Sequence, residues 1–100
     1  MSSDDDAIPE LLQAEWPADL VEQLFDDLRD GAEVLHVQLR TTTGDAAATL
    51  ADAKQAFAAG AAQAIQVQYR FENDVWCDTI MPGDPTTKIV RNRMPADRPS

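Results

Sequence analysis

A thiol, a carboxylate and a hydroxyl stand in a row at Cys77-Asp78-Thr79, and the chain has one imidazole, His36, and one phenol, Tyr69, to set beside them. Cys77 and His36 could form a nucleophilic thiol–imidazole pair. That chemistry needs the ring within hydrogen-bond reach of the thiol and a third group to orient it. No family-type motif surrounds either residue, and a cysteine in mid-strand is far more often structural. A metal centre has less to work with, because one His, one Cys and scattered Asp offer no CxxC or HxxxH spacing. GxGxxG, Walker, GxSxG and HExxH patterns are absent, and four glycines give little material for a phosphate-cradling loop. The sequence therefore predicts no metal and no cofactor.

Asp78 is the sharper candidate. Two alternating runs flank Asn73-Asp74, a dipeptide that suits a tight hairpin. With that turn, Glu72 faces Val75, Phe71 faces Trp76 and Val67 faces Ile80. Asp78 then points to the apolar face, opposite Tyr69. A buried carboxylate is costly unless paired, so a structural bond to the Tyr69 hydroxyl, Thr87 or a backbone donor is the plain expectation. A general acid–base role is the alternative, since burial shifts carboxylate pKa values upward. If the chain is an enzyme, its site is expected around Asp78, Tyr69, Cys77 and His36.

The elements that position these residues follow from periodicity. Pro17 suits a first helical turn. Leu20, Val21, Leu24, Phe25 and Leu28 form one apolar stripe, and Gly31 follows as a stop, predicting a helix over 17–30. Leu35, Val37 and Leu39 alternate with His36, Gln38 and Arg40, which reads as a strand over 34–42. Asp45 is a good N-cap for an Ala-rich helix running to Ala59 before Gly60. Strands follow at 64–72, 75–81 and 87–93, the last two separated by Pro82-Gly83-Asp84-Pro85. Ile8 to Leu12 reads as a turn of helix.

The expected fold is α+β, a two-layer sandwich in the order α-β-α-β-β-β. A right-handed crossover makes its first two strands parallel, giving a mixed four-stranded sheet with both helices on one face. Residues 8–94 form the domain, 1–7 an acidic tail and 95–100 a flexible one.

The sheet face away from the helices carries His36, Gln38, Arg40, Gln66, Gln68, Arg70, Cys77 and Thr79. A solvated face is common in antiparallel sheets. Read functionally, it is a docking surface anchored by Arg40 and Arg70. The register of the last strand stays open. One choice gathers Arg91 and Arg93 with Arg70 near Cys77, whereas the other turns Val90 outward.

Net charge is −10, and all of it lies in residues 1–33, where eleven acidic side chains meet Arg29 alone. This disfavours nucleic acid, whose binding depends on phosphate neutralisation. It also leaves Asp26, Asp27 and Asp30 near the negative end of the first helix, a cluster that could meet a basic partner. Thirteen Asp against five Glu, with only two Lys, could instead reflect a salt-adapted or high-GC source. A single cysteine excludes an internal disulfide, the start of the chain lacks a signal-peptide pattern, and no apolar run is long enough for a membrane helix. A cytoplasmic location is expected, with no membrane partner.

Together these features predict a non-catalytic protein-interaction module, an adaptor or regulatory subunit with an unidentified protein partner. The alternatives are a small enzyme or ligand-binding domain around Asp78 and Cys77, and an acidic inhibitor or antitoxin-like protein that binds a basic target. Sixteen of the hydrophobic residues are Ala, so the core is modest, and a homodimer sharing a sheet face or edge is open to such a chain.

Overall fold

In the computed structural model, which describes residues 11–94, the chain runs β1 (Leu11–Trp16), α1 (Ala18–Gly31), β2 (Glu33–Thr41), β3 (Gly44–Ala47), α2 (Leu50–Ala58), β4 (Ala64–Phe71), β5 (Asp74–Met81) and β6 (Thr87–Arg93). The class is α+β. Six strands form one sheet in the order β1-β6-β5-β4-β2-β3, with every neighbouring pair antiparallel. The tails expected at 1–7 and 95–100 lie outside the described residues. No described helix is long and apolar enough to cross a membrane.

The mixed four-stranded sheet is corrected to six antiparallel strands, for two local reasons. Leu11–Trp16 is an edge strand on β6, where part of a helical turn was expected. The segment Gly44–Ala47 is also a strand: it pairs with β2 across a turn at Thr42-Thr43, and Gly44 takes φ +125°. Alanine is the strongest helix former, but propensity amounts to less than about 1 kcal/mol per residue and tertiary context overrides it; here the open edge of β2 pairs these backbone groups. Asp45 is consequently not the N-cap of α2. Thr49 is, its side chain accepting from the Asp52 N–H at 3.0 Å. The β2–β3 hairpin also reverses the chain before α2, so β4 returns antiparallel to β2 and the parallel crossover does not form.

Both helices cover one face of the sheet. Val21, Leu24, Phe25 and Leu28 of α1, with Ala53 and Phe57 of α2, pack on Val37, Ile65, Val67, Tyr69, Ile80 and Ile89. The Phe25 and Phe57 rings meet at 6.0 Å between centroids, joining the two helices over the sheet. Gly31 closes α1 as its last helical residue, and the chain leaves through extended Ala32.

The hairpin between β4 and β5 turns at Glu72-Asn73, both with positive φ, and pairs Phe71 with Asp74, Tyr69 with Trp76 and Ile65 with Ile80. The pairing is displaced by two positions from the expected one. An even displacement leaves each side chain on its own face, so Asp78 still points to the core while its direct neighbour becomes Val67. The displacement does move Phe71 to the sheet end, where it is 46% exposed and not a core partner of Trp76. Leu35 is also exposed, because a bulge between Val34 and His36 breaks the period of two and gives the inward place to Val34. In β6 Val90 faces Thr79 on the outer side, so Arg91 and Arg93 point toward the helices and do not join Arg70 near Cys77.

Candidate functional site

The one buried carboxylate among the described residues is Asp78, fully enclosed at the centre of the helix-covered face. Sequence alternation puts it there, with Thr79 outward and Ile80 inward. Directly across on β6 is Arg91, whose Nε and Nη2 donate to the two Asp78 oxygens at 2.8 Å each. The Tyr69 hydroxyl donates to Oδ1 at 3.0 Å. The guanidinium carbon lies 5.9 Å from the centre of the Tyr69 ring, within range of a cation–π contact. Burial, together with the charge of Asp78, pushes the Tyr69 phenol well above its ordinary range. The bond to Asp78 raises the Arg91 pKa in turn. Tyr69 and Asp78 thus meet, as the sequence suggests, but Arg91 completes the cluster. Both oxygens of Asp78 are engaged from within the protein, which leaves it poorly placed to exchange a proton with a substrate.

Cys77 and His36 lie on the other face and do not meet. Gln68 stands between them, paired to His36 on β2 and to Cys77 on β5, so two strand spacings, about 10 Å, separate them. His36 Nε2 is 3.0 Å from the Gln38 side-chain oxygen. Burial and the neighbouring Asp78 raise the Cys77 thiol pKa, which is the wrong direction for a nucleophile at neutral pH. Among the described residues no group of three or more His, Cys, Asp or Glu side chains could hold a metal ion.

The chain matches no family model, no curated protein and no solved structure.

The face away from the helices, uncovered among the described residues, spans all six strands. Its central rows carry Gln13, Val90, Thr79, Gln66 and Gln38, then Asn92, Cys77, Gln68 and His36. Arg40 and Arg70 flank them, each already tied: Arg40 to Asp45 at 2.8 Å, and Arg70 to Glu33 at 3.0 Å. A hollow of about 250 Å³ opens on this face between Gln38, Arg40, Asp45, Gln66, Thr79 and Met81.

The acidic cluster of α1 is divided by the fold. Asp30 pairs with Arg29 at 2.9 Å, and Asp26 reaches Lys54 of α2 at 2.7 Å. Lys54 is a long-range partner that local spacing could not reveal. Asp27 instead lines a cleft of about 290 Å³ beneath α1, with Trp16, Leu28, Tyr69, Phe71 and Arg91.

Proposed function

We infer that this domain is a non-catalytic protein-interaction module of the adaptor or regulatory-subunit kind, and that it binds through its uncovered sheet face. The observation that carries this reading is the division of labour between the two faces. One face takes the helices, the core and the closed Asp78–Arg91–Tyr69 cluster. The other is six strands wide and presents amides, hydroxyls and the ion pairs Arg40–Asp45 and Arg70–Glu33, interspersed with Val75, Met81 and Val90. Side-chain amides offer both donors and acceptors, which suits recognition of a polar protein surface. The enzyme alternative has less support, because Asp78 is engaged on both oxygens and His36 is two strand spacings from Cys77.

The test compares capture by the intact chain and by a variant with Gln13→Glu and Gln66→Glu, two exposed positions well apart on that face. A protein retained reproducibly by the wild type should be depleted by the variant, with the thermal midpoint unchanged. Equal capture by both chains would remove this face as the binding surface.

The acidic-inhibitor reading rests on α1, and the ion pairs of Asp26 and Asp30 weaken it. Both carboxylates are partly neutralised within the chain.

A further inference from the structure

The described residues carry thirteen acidic and seven basic side chains, a net of −6, and none of that excess lies on the uncovered face. The charged residues with their Cα on that side of the pleat are Glu15, Glu33 and Asp45 against Arg40, Arg70 and Lys88. Three of each sign sum to zero. Helix α1 is the opposite case, with Asp19, Glu22, Asp26, Asp27 and Asp30 against Arg29.

Resting on the reading of this face as the binding surface, we propose that its occupant is a second copy of this chain, packed sheet to sheet about a twofold axis. Like chains with a large net negative charge repel each other wherever the excess is displayed. The uncovered face displays none, and it carries both signs. An isologous contact requires one patch to complement itself, and an amide does so because it donates and accepts.

The geometry also keeps the acidic surfaces apart. Sheets stack about 10 Å apart, and each α1 lies on the far side of its own sheet. The two acidic helices are then separated by more than the Debye length of about 8 Å at physiological salt. Six strands at about 4.8 Å spacing and about seven residues long give a face of about 600 Å². That is on the scale of the roughly 800 Å² per partner in a standard interface. The hollow between Gln38, Gln66, Thr79 and Met81 gives a side chain of the second copy a place to seat.

The experiment is sedimentation of the full chain from low micromolar to millimolar concentration, at low and high salt. The expected species has twice the 11.0 kDa chain mass, and its association is unchanged or strengthened by salt. Gln13→Glu with Gln66→Glu should weaken association about 100-fold, since the contact would then enclose four added carboxylates, two from each copy. The same positions changed to Lys should weaken it as well, and an equimolar mixture of the two variants should restore it. That rescue separates a surface effect from misfolding. A monomer at every concentration, or a dimer indifferent to these substitutions, would overturn the proposal. If the chain is monomeric yet the Glu variant loses a captured protein, the second copy is wrong and the binding face stands. If the chain is monomeric and that variant also captures everything the wild type does, both fail.

Discussion

Arg91 lies directly opposite Asp78 on the neighbouring strand and engages both oxygens of that carboxylate at 2.8 Å, while its own side chain remains one-third exposed. The pair is asymmetric. The cation keeps contact with water and the anion has none, so loss of the cation is the more damaging half.

Arg91→Met should therefore destabilise the domain by about 3 kcal/mol, because it strands a buried charge with only the Tyr69 hydroxyl. Asp78→Leu should cost less, since Arg91 can turn toward solvent. The double variant should recover much of the loss, as buried ion pairs replaced by apolar groups often do. Urea denaturation of the four proteins gives the cycle. Stability of Arg91→Met within about 0.5 kcal/mol of wild type, the usual range for a surface change, would show that the pair is unimportant.

Stability should fall at alkaline pH. The folded-state pKa of Tyr69 is raised above its ordinary 10.0 and that of Cys77 above 9.0. A raised folded value means that the native state holds the proton more tightly. The stabilisation is fully present below the ordinary value and is lost as pH rises through it toward the folded value. The denaturation midpoint should decline from about pH 9 upward. In Tyr69→Phe the part of that decline beginning near pH 10 should disappear, although the variant starts lower for want of the bond to Asp78. An unchanged pH profile in that variant would exclude the phenol as the cause.

Truncation of Trp76 and of Phe71 should have different costs. Trp76 is half-buried against the core, whereas Phe71 is 46% exposed. Trp76→Ala should cost about 2 kcal/mol, below the full core value, and Phe71→Ala less than about 1 kcal/mol. Thermal melts of the two variants decide it, and a larger loss for Phe71 would contradict the β4–β5 register.

The two aspartates at the end of α1 should separate in the same way. Asp27→Asn relieves an acid from the negative end of the helix and should stabilise by about 0.3–1 kcal/mol at low salt. Asp26→Asn should be neutral or slightly destabilising, because its pairs with Lys54 and Arg29 offset the same penalty. Chemical denaturation at low and high salt measures both. Equal stabilisation by the two substitutions would mean that the Lys54 bridge contributes nothing.

What the sequence by itself determined about this protein is whatever depends on period and on neighbours. The stripe Val21, Leu24, Phe25 and Leu28 specifies α1 and its buried side. Strict alternation specifies β4 and β5 and sends Asp78 inward and Cys77 outward, even though the turn lies one residue earlier than Asn73-Asp74 suggests. Parity survives such a displacement; direct partners do not, which is why Phe71 is exposed. The tertiary structure decided everything that depends on an edge or on distant residues. Gly44–Ala47 is a strand because β2 offers an unpaired edge there, and Leu11–Trp16 is one because β6 does. The register of β6 had two candidates by local pattern, and only one brings a cation to the enclosed Asp78. A buried carboxylate needs a partner more than a surface arginine needs an exposed position, and that inequality turns Arg91 inward and leaves the opposite face without net charge.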